Sequence, residues 1–160
     1  MKRLVLGVAL SAAALFAQVA QAQTFTSGQF NVAVTLTSVC TLSAIADVTF
    51  AYTSLQAVPA NSTGGGYSVT CTNNLPYTFG LQAGTGAPSA PGNANITVTD
   101  ANVGLQYTLT PSAANGTGSG AAQAYSINGT MPASQSGNCG AATCDNLGSA
   151  NRRHTLIVDF

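Results

Sequence analysis

One histidine, four aspartates and four cysteines carry almost all the reactive chemistry open to this 160-residue chain. A serine nucleophile of the hydrolase kind needs a G-x-S-x-G turn to raise it, and none is present. The sequence has no glutamate to act as a general base. Asp47, Asp100, Asp145 and Asp159 are scattered, with no close carboxylate pair of the kind that glycoside hydrolysis uses. His154 follows Arg152 and Arg153 and reads as a surface or strand-end residue. Gly64-Gly65-Gly66 and the Gly116 to Gly120 cluster open no helix, so neither forms a phosphate cradle. The reading is of a protein that is not an enzyme, with no catalytic residue, cofactor or metal.

Cys40, Cys71, Cys139 and Cys144 can pair in three ways. Cys139 and Cys144 are five residues apart across Gly140, a spacing suited to a small closed loop, which leaves Cys40 and Cys71 to pair. By loop-closure entropy the longer bridge contributes roughly 3.5 to 4 kcal/mol and the short one about 2. A zinc site of Cys139, Cys144 and His154 is the competing use, but a fourth ligand and a second CxxC are missing. Asn-x-Ser/Thr sequons at Asn61, Asn95, Asn115 and Asn128 read as by-products of an Asn- and Thr-rich surface.

The elements that would position these residues begin after an export signal. Lys2 and Arg3, the apolar run from Leu4 to Ala17, and Ala20-Gln21-Ala22 make residues 1–22 a secretory signal peptide cut before Gln23. Export in turn favours disulfides over a cytosolic metal site. Residues 23–160 suit one domain with a sizeable core. Removal of the signal leaves Arg152 and Arg153 against four aspartates, with no lysine. Such a chain has no basic patch for nucleic acid, and no second apolar segment or amphipathic helix for a membrane.

Short alternating runs then follow one another: Val48/Phe50/Tyr52, Tyr67/Val69/Cys71, Tyr77/Phe79/Leu81, Ile96/Val98, Leu105/Tyr107/Leu109, a shorter Tyr125/Ile127, and Leu156/Val158/Phe160. Turn-forming clusters separate them at 61–66, 83–95 and 111–120, and Asn115-Gly116 and Asn128-Gly129 can supply positive φ for tight turns. No helical period follows the signal, so the fold class is all-β, and the size favours a sandwich. The first strand of the series, GQFNVAVTLTSVC from Gly28 to Cys40, puts Phe30, Val32, Val34 and Leu36 on one face. It has little upstream to tie it down, and it can either stay in its own sheet or complete another domain.

Taken in order, FNVAVTLTSVC, GGGYSVTCTNNLPYTFGLQAG, VGLQYTLTPSAANGTGSG, YSINGTMPASQSG and RRHTLIVDF resemble the spore coat protein U domain family, which includes subunits of archaic, Csu-type chaperone–usher pili. The resemblance implies an incomplete immunoglobulin-like β-sandwich lacking its final strand (38–160), preceded by an N-terminal donor strand (23–37). Phe30, Val32, Val34 and Leu36 of one subunit would fill the groove of the next. Leu156, Val158 and Phe160 would border that groove and pair with a periplasmic chaperone before assembly at an outer-membrane usher. The resemblance also implies a Cys40–Cys71 bridge, identical or related pilin subunits as partners, and passage through the periplasm to a cell-surface fibre. NCGAATC, Cys139 to Cys144, departs from the family pattern. The alternative function is a secreted, self-contained coat or carbohydrate-binding module of the same fold.

Overall fold

The computed structural model describes residues 25–84, 86–89 and 91–160, and the expected signal peptide lies outside them. The chain divides into two units, Met1–Thr35 and Leu36–Phe160. In the described part of the first, residues 25–35 form no strand, and Phe30, Val32 and Val34 are 75–86% exposed. The strand expected over Phe30 to Leu36 is therefore not formed in the isolated chain. Alternation chooses a face, but a strand exists only when neighbouring backbone takes its N–H and C=O groups.

In the second unit the described residues form eleven strands: β1 (Cys40–Leu42), β2 (Val48–Thr49), β3 (Ala60–Asn61), β4 (Thr63–Gly64), β5 (Gly66–Cys71), β6 (Pro76–Ala83), β7 (Ile96–Thr99), β8 (Gln106–Pro111), β9 (Asn115–Thr117), β10 (Gln123–Met131) and β11 (His154–Asp159). All ladders are antiparallel. One sheet runs β1-β5-β10-β8-β7 with β3 also on β10; a second runs β11-β6-β9; β2 and β4 form a short ribbon. This is the all-β sandwich that the alternation and size favour, and it is consistent with the immunoglobulin-like architecture that the resemblance implies.

The core follows the period-2 pattern. Tyr67, Val69 and Cys71 of β5, Ile127 and Met131 of β10, Tyr107 and Leu109 of β8, and Ile96 and Val98 of β7 pack against Tyr77, Phe79 and Leu81 of β6. At one end Tyr67, Tyr77, Phe79 and Tyr125 form an aromatic cluster with ring centroids 4.7–6.4 Å apart. Burial pushes the Tyr67 and Tyr77 hydroxyls up to about 12.

Two sequence expectations are corrected. Asn128-Gly129 is not a turn: it lies inside β10, the longest strand, with Gly129 opposite Leu109. Asn115-Gly116 likewise sits in β9, with Gly116 opposite Tyr77. Both glycines are there for space. A Cβ on Gly129 would come 2.4 Å from the Phe50 ring, and one on Gly116 2.5 Å from the Tyr77 ring. The run Val48/Phe50/Tyr52 is strand only at Val48–Thr49. Phe50 and Tyr52 leave the ladder but stay half-buried against the core, and Tyr52 Oη donates to the Pro132 carbonyl at 2.9 Å.

Candidate functional site

A groove of about 740 Å³ opens between the sheets beside the first half of β11. Tyr107, Leu109, Ile127 and Met131 line it from the large sheet, and Leu81 and Leu156 from the small one. Residues 45–50 and Tyr52 form one bank, and residues 152–156 the other. β11 pairs with β6 along one side and ends the sheet on its other side. Among the described residues its outer backbone edge is therefore unpaired, and it runs along a trough that mixes apolar side chains with Asp47, Asp100, Asp145, Arg152 and Arg153, an arrangement open to an extended chain.

The expected groove-edge residues are placed unequally. Leu156 is half-buried and lines the trough; Val158 is half-buried and packs on the core. Phe160 falls beyond the end of β11 and is 57% exposed. Ile157, between them, is buried on the opposite face, where it pairs with Gly80, against whose backbone Gly92 lies. Phe30, Val32, Val34 and Leu36 are exposed and outside the strands.

A hydrogen-bonded cluster holds the end of the groove where β11 starts. Tyr107 Oη donates to the Asn151 carbonyl at 2.9 Å, so it accepts from Nε2–H of His154 at 2.7 Å. Nδ1 of His154 accepts from the Gly84 N–H at 3.4 Å. The imidazole is thus neutral with its proton on Nε2, and burial holds its pKa below the ordinary value. His154 begins β11, as a strand-end residue, but it is half-buried and tied to β8. Burial also pushes Tyr107 up to about 12, with the nearby Asp100 charge adding to it.

Asp100 is 1% exposed. Burial pushes its carboxyl up, but hydrogen bonds from the Val103 N–H, the Asn146 amide, the Asn102 N–H and the Ser149 hydroxyl outweigh that and lower its pKa. Its Oδ1 takes Asn102 N–H at 2.8 Å and Val103 N–H at 3.1 Å, and its Oδ2 takes the Asn146 amide at 3.1 Å. This carboxylate is a structural clasp for the turn after β7. The sequence marked Asp100 only as one of four scattered aspartates; the Asp-Ala-Asn-Val spacing of an Asx turn was the signal for its role.

Cys40 is bonded to Cys71, and Cys139 to Cys144. Neither of the latter thiolates is available to a metal, which removes the zinc alternative. Cys144 to Leu147 also line the groove, although sequence reasoning assigned Cys144 only to a disulfide or a zinc site and gave Asn146 and Leu147 no role.

A model of the Spore Coat Protein U domain matches residues 26–144. The chain belongs to that family. No curated protein and no solved structure matches the chain. Spore Coat Protein U proteins are structural pilus subunits rather than enzymes, exported to the cell surface. The Spore Coat Protein U match takes in the exposed segment with Phe30 to Leu36 and stops before β11. Among the described residues no helix is long and apolar enough to cross a membrane.

Proposed function

We propose that this chain is a pilus subunit that polymerises by donor-strand complementation: residues 23–37 of one copy fill the groove beside β11 of the next. The outer edge of β11, unpaired among the described residues and beside a groove lined in part by Leu81, Tyr107, Leu109, Ile127, Met131 and Leu156, carries this reading. A segment with Phe30, Val32, Val34 and Leu36 at alternate positions, exposed in its own chain, supplies the complementary face. Its backbone completes the ladder and its side chains complete the core. Burying each of those side chains contributes about 1.5–3 kcal/mol. The linkage is head-to-tail, so it propagates as an open fibre. Before assembly, a periplasmic chaperone occupies the same β11 edge, and an outer-membrane usher exchanges it for the donor. Removal of residues 1–22 on export fits the same route.

Electron microscopy and heat-resistant ladders on gels, applied to the exported protein with its chaperone and usher, test the proposal. Intact protein forms fibres; Val32→Asp and Val34→Asp do not, because each puts a carboxylate into the trough. Normal fibres from both variants would assign donation to another segment. An intact chain that stays a stable monomer without chaperone would make the self-contained module the better reading.

A further inference from the structure

The Cys139–Cys144 bridge closes a loop whose last residue, Cys144, lines the groove together with the three residues that follow it. Its flanks are fixed. Asn138 N–H donates to the Val103 carbonyl at 2.6 Å, and the Asn146 amide to the buried carboxylate of Asp100 at 3.1 Å. Beyond the bridge, Leu147 lines the groove yet is 65% exposed. A leucine held in solvent next to the Asn146 clasp, three residues past the bridge, presents apolar surface open to a cover.

Chain length says what covers it. The segment that leaves each subunit is rooted at Val39, whose N–H donates to Thr72 Oγ1 at 3.0 Å and whose carbonyl accepts the Thr72 N–H at 3.0 Å. Three residue steps separate Leu36 from Val39, at most about 11 Å of chain. With Leu36 seated in a neighbour's groove, the two bodies have no slack to stand apart. Antiparallel pairing with β11, the commoner geometry, puts Leu36 at the His154 end, beside the disulfide loop. The arriving root carries Val39, 56% exposed, and Leu42, 41% exposed.

We infer that the segment from Cys144 to Leu147, anchored by the bridge to Cys139, is a second subunit–subunit contact, in which Leu147 packs on Val39 and Leu42 of the copy whose segment fills the groove. The inference rests on the proposed donor exchange and adds a body-to-body contact that locks each joint. It also gives a use to a bridge that lies outside the basic pattern of the sequence motifs.

A photo-cross-linking residue in place of Leu147, in full-length chains assembled into fibres, tests it. Covalent dimers whose partner peptide contains Val39 and Leu42 are expected. Fibres that assemble normally but cross-link elsewhere, or not at all, overturn the contact and leave donor exchange standing. Leu147→Asp gives an independent measure: monomer melting stays unchanged, while subunits leave the fibre about tenfold faster, the factor for one lost apolar contact. An unchanged dissociation rate overturns the contact. If a peptide spanning residues 25–38 fails to bind the groove at all, both donor exchange and this contact fall.

Discussion

Gly84 gives its N–H to Nδ1 of His154 while Tyr107 takes the proton on Nε2, so a second proton has no acceptor on that ring. Burial lowers the folded-state pKa of His154 below its unfolded value of about 6.5. The stability contributed by the neutral ring is therefore complete above about pH 6.5 and is lost as pH falls through the lower folded value. The melting temperature of the intact protein should drop as pH falls below about 6.5, and His154→Gln should flatten that part of the profile. Two tyrosines should respond with opposite signs to loss of their hydroxyls. Tyr107→Phe strands both the His154 Nε2–H and the Asn151 carbonyl, at a cost of about 1–3 kcal/mol. Tyr67 Oη is buried with no hydrogen-bond partner among the described residues, so Tyr67→Phe should be neutral or stabilising by up to about 1 kcal/mol. Urea unfolding distinguishes the two. The sequence showed that His154 opens a strand, because alternation is local. It could not show the Tyr107 partner 47 residues away, because that contact exists only once two sheets have packed.

At the scale of the elements, the two Asn-Gly pairs show where local signals mislead. Turn chemistry and ring-sized space both ask for glycine, and the sequence alone cannot tell which demand is being met. Gly129→Ala should destabilise by about 1–3 kcal/mol by driving a methyl into the Phe50 ring, in urea unfolding that leaves Asn128→Ala nearly unchanged. The buried alternation of β5, β6, β7 and β8 was legible because each carries apolar residues on one face throughout. β10 was read too short, since its buried face passes through glycine. The candidate site was half legible. Leu156 stood out by alternation, whereas Met131 lies beyond the glycine that interrupts the buried face of β10, and Phe50 and the wall from Cys144 to Leu147 reach the groove through the path of the loops. Between the bridges, loss of Cys40–Cys71 should cost about 3.7 kcal/mol and loss of Cys139–Cys144 about 2, by melting of paired serine variants.

For the whole molecule, the proposed donor exchange makes the exposed segment and the groove beside β11 two halves of one sandwich distributed over two copies. A peptide of residues 25–38 should raise the melting point of the chain, by about 2.7 kcal/mol of stability at a hundredfold excess over its Kd. No charged residue lies between Gln23 and Val39, so assembly should proceed at nearly the same rate across a tenfold range of salt. Light scattering during assembly would measure it. The position of the first disulfide has a mechanical consequence. Tension along the fibre would enter each body at Cys40, the first rung of the β1–β5 ladder. A hydrogen-bonded ladder loaded at one end tears rung by rung from that end. Here the Val39–Thr72 hydrogen bonds are backed at the next residue by a covalent bond to Cys71, so tearing stops there, and the pull passes into β5 beside the core. Single fibres stretched before and after reduction should differ accordingly: the oxidised fibre bears load without lengthening, and the reduced one lets out chain at lower force.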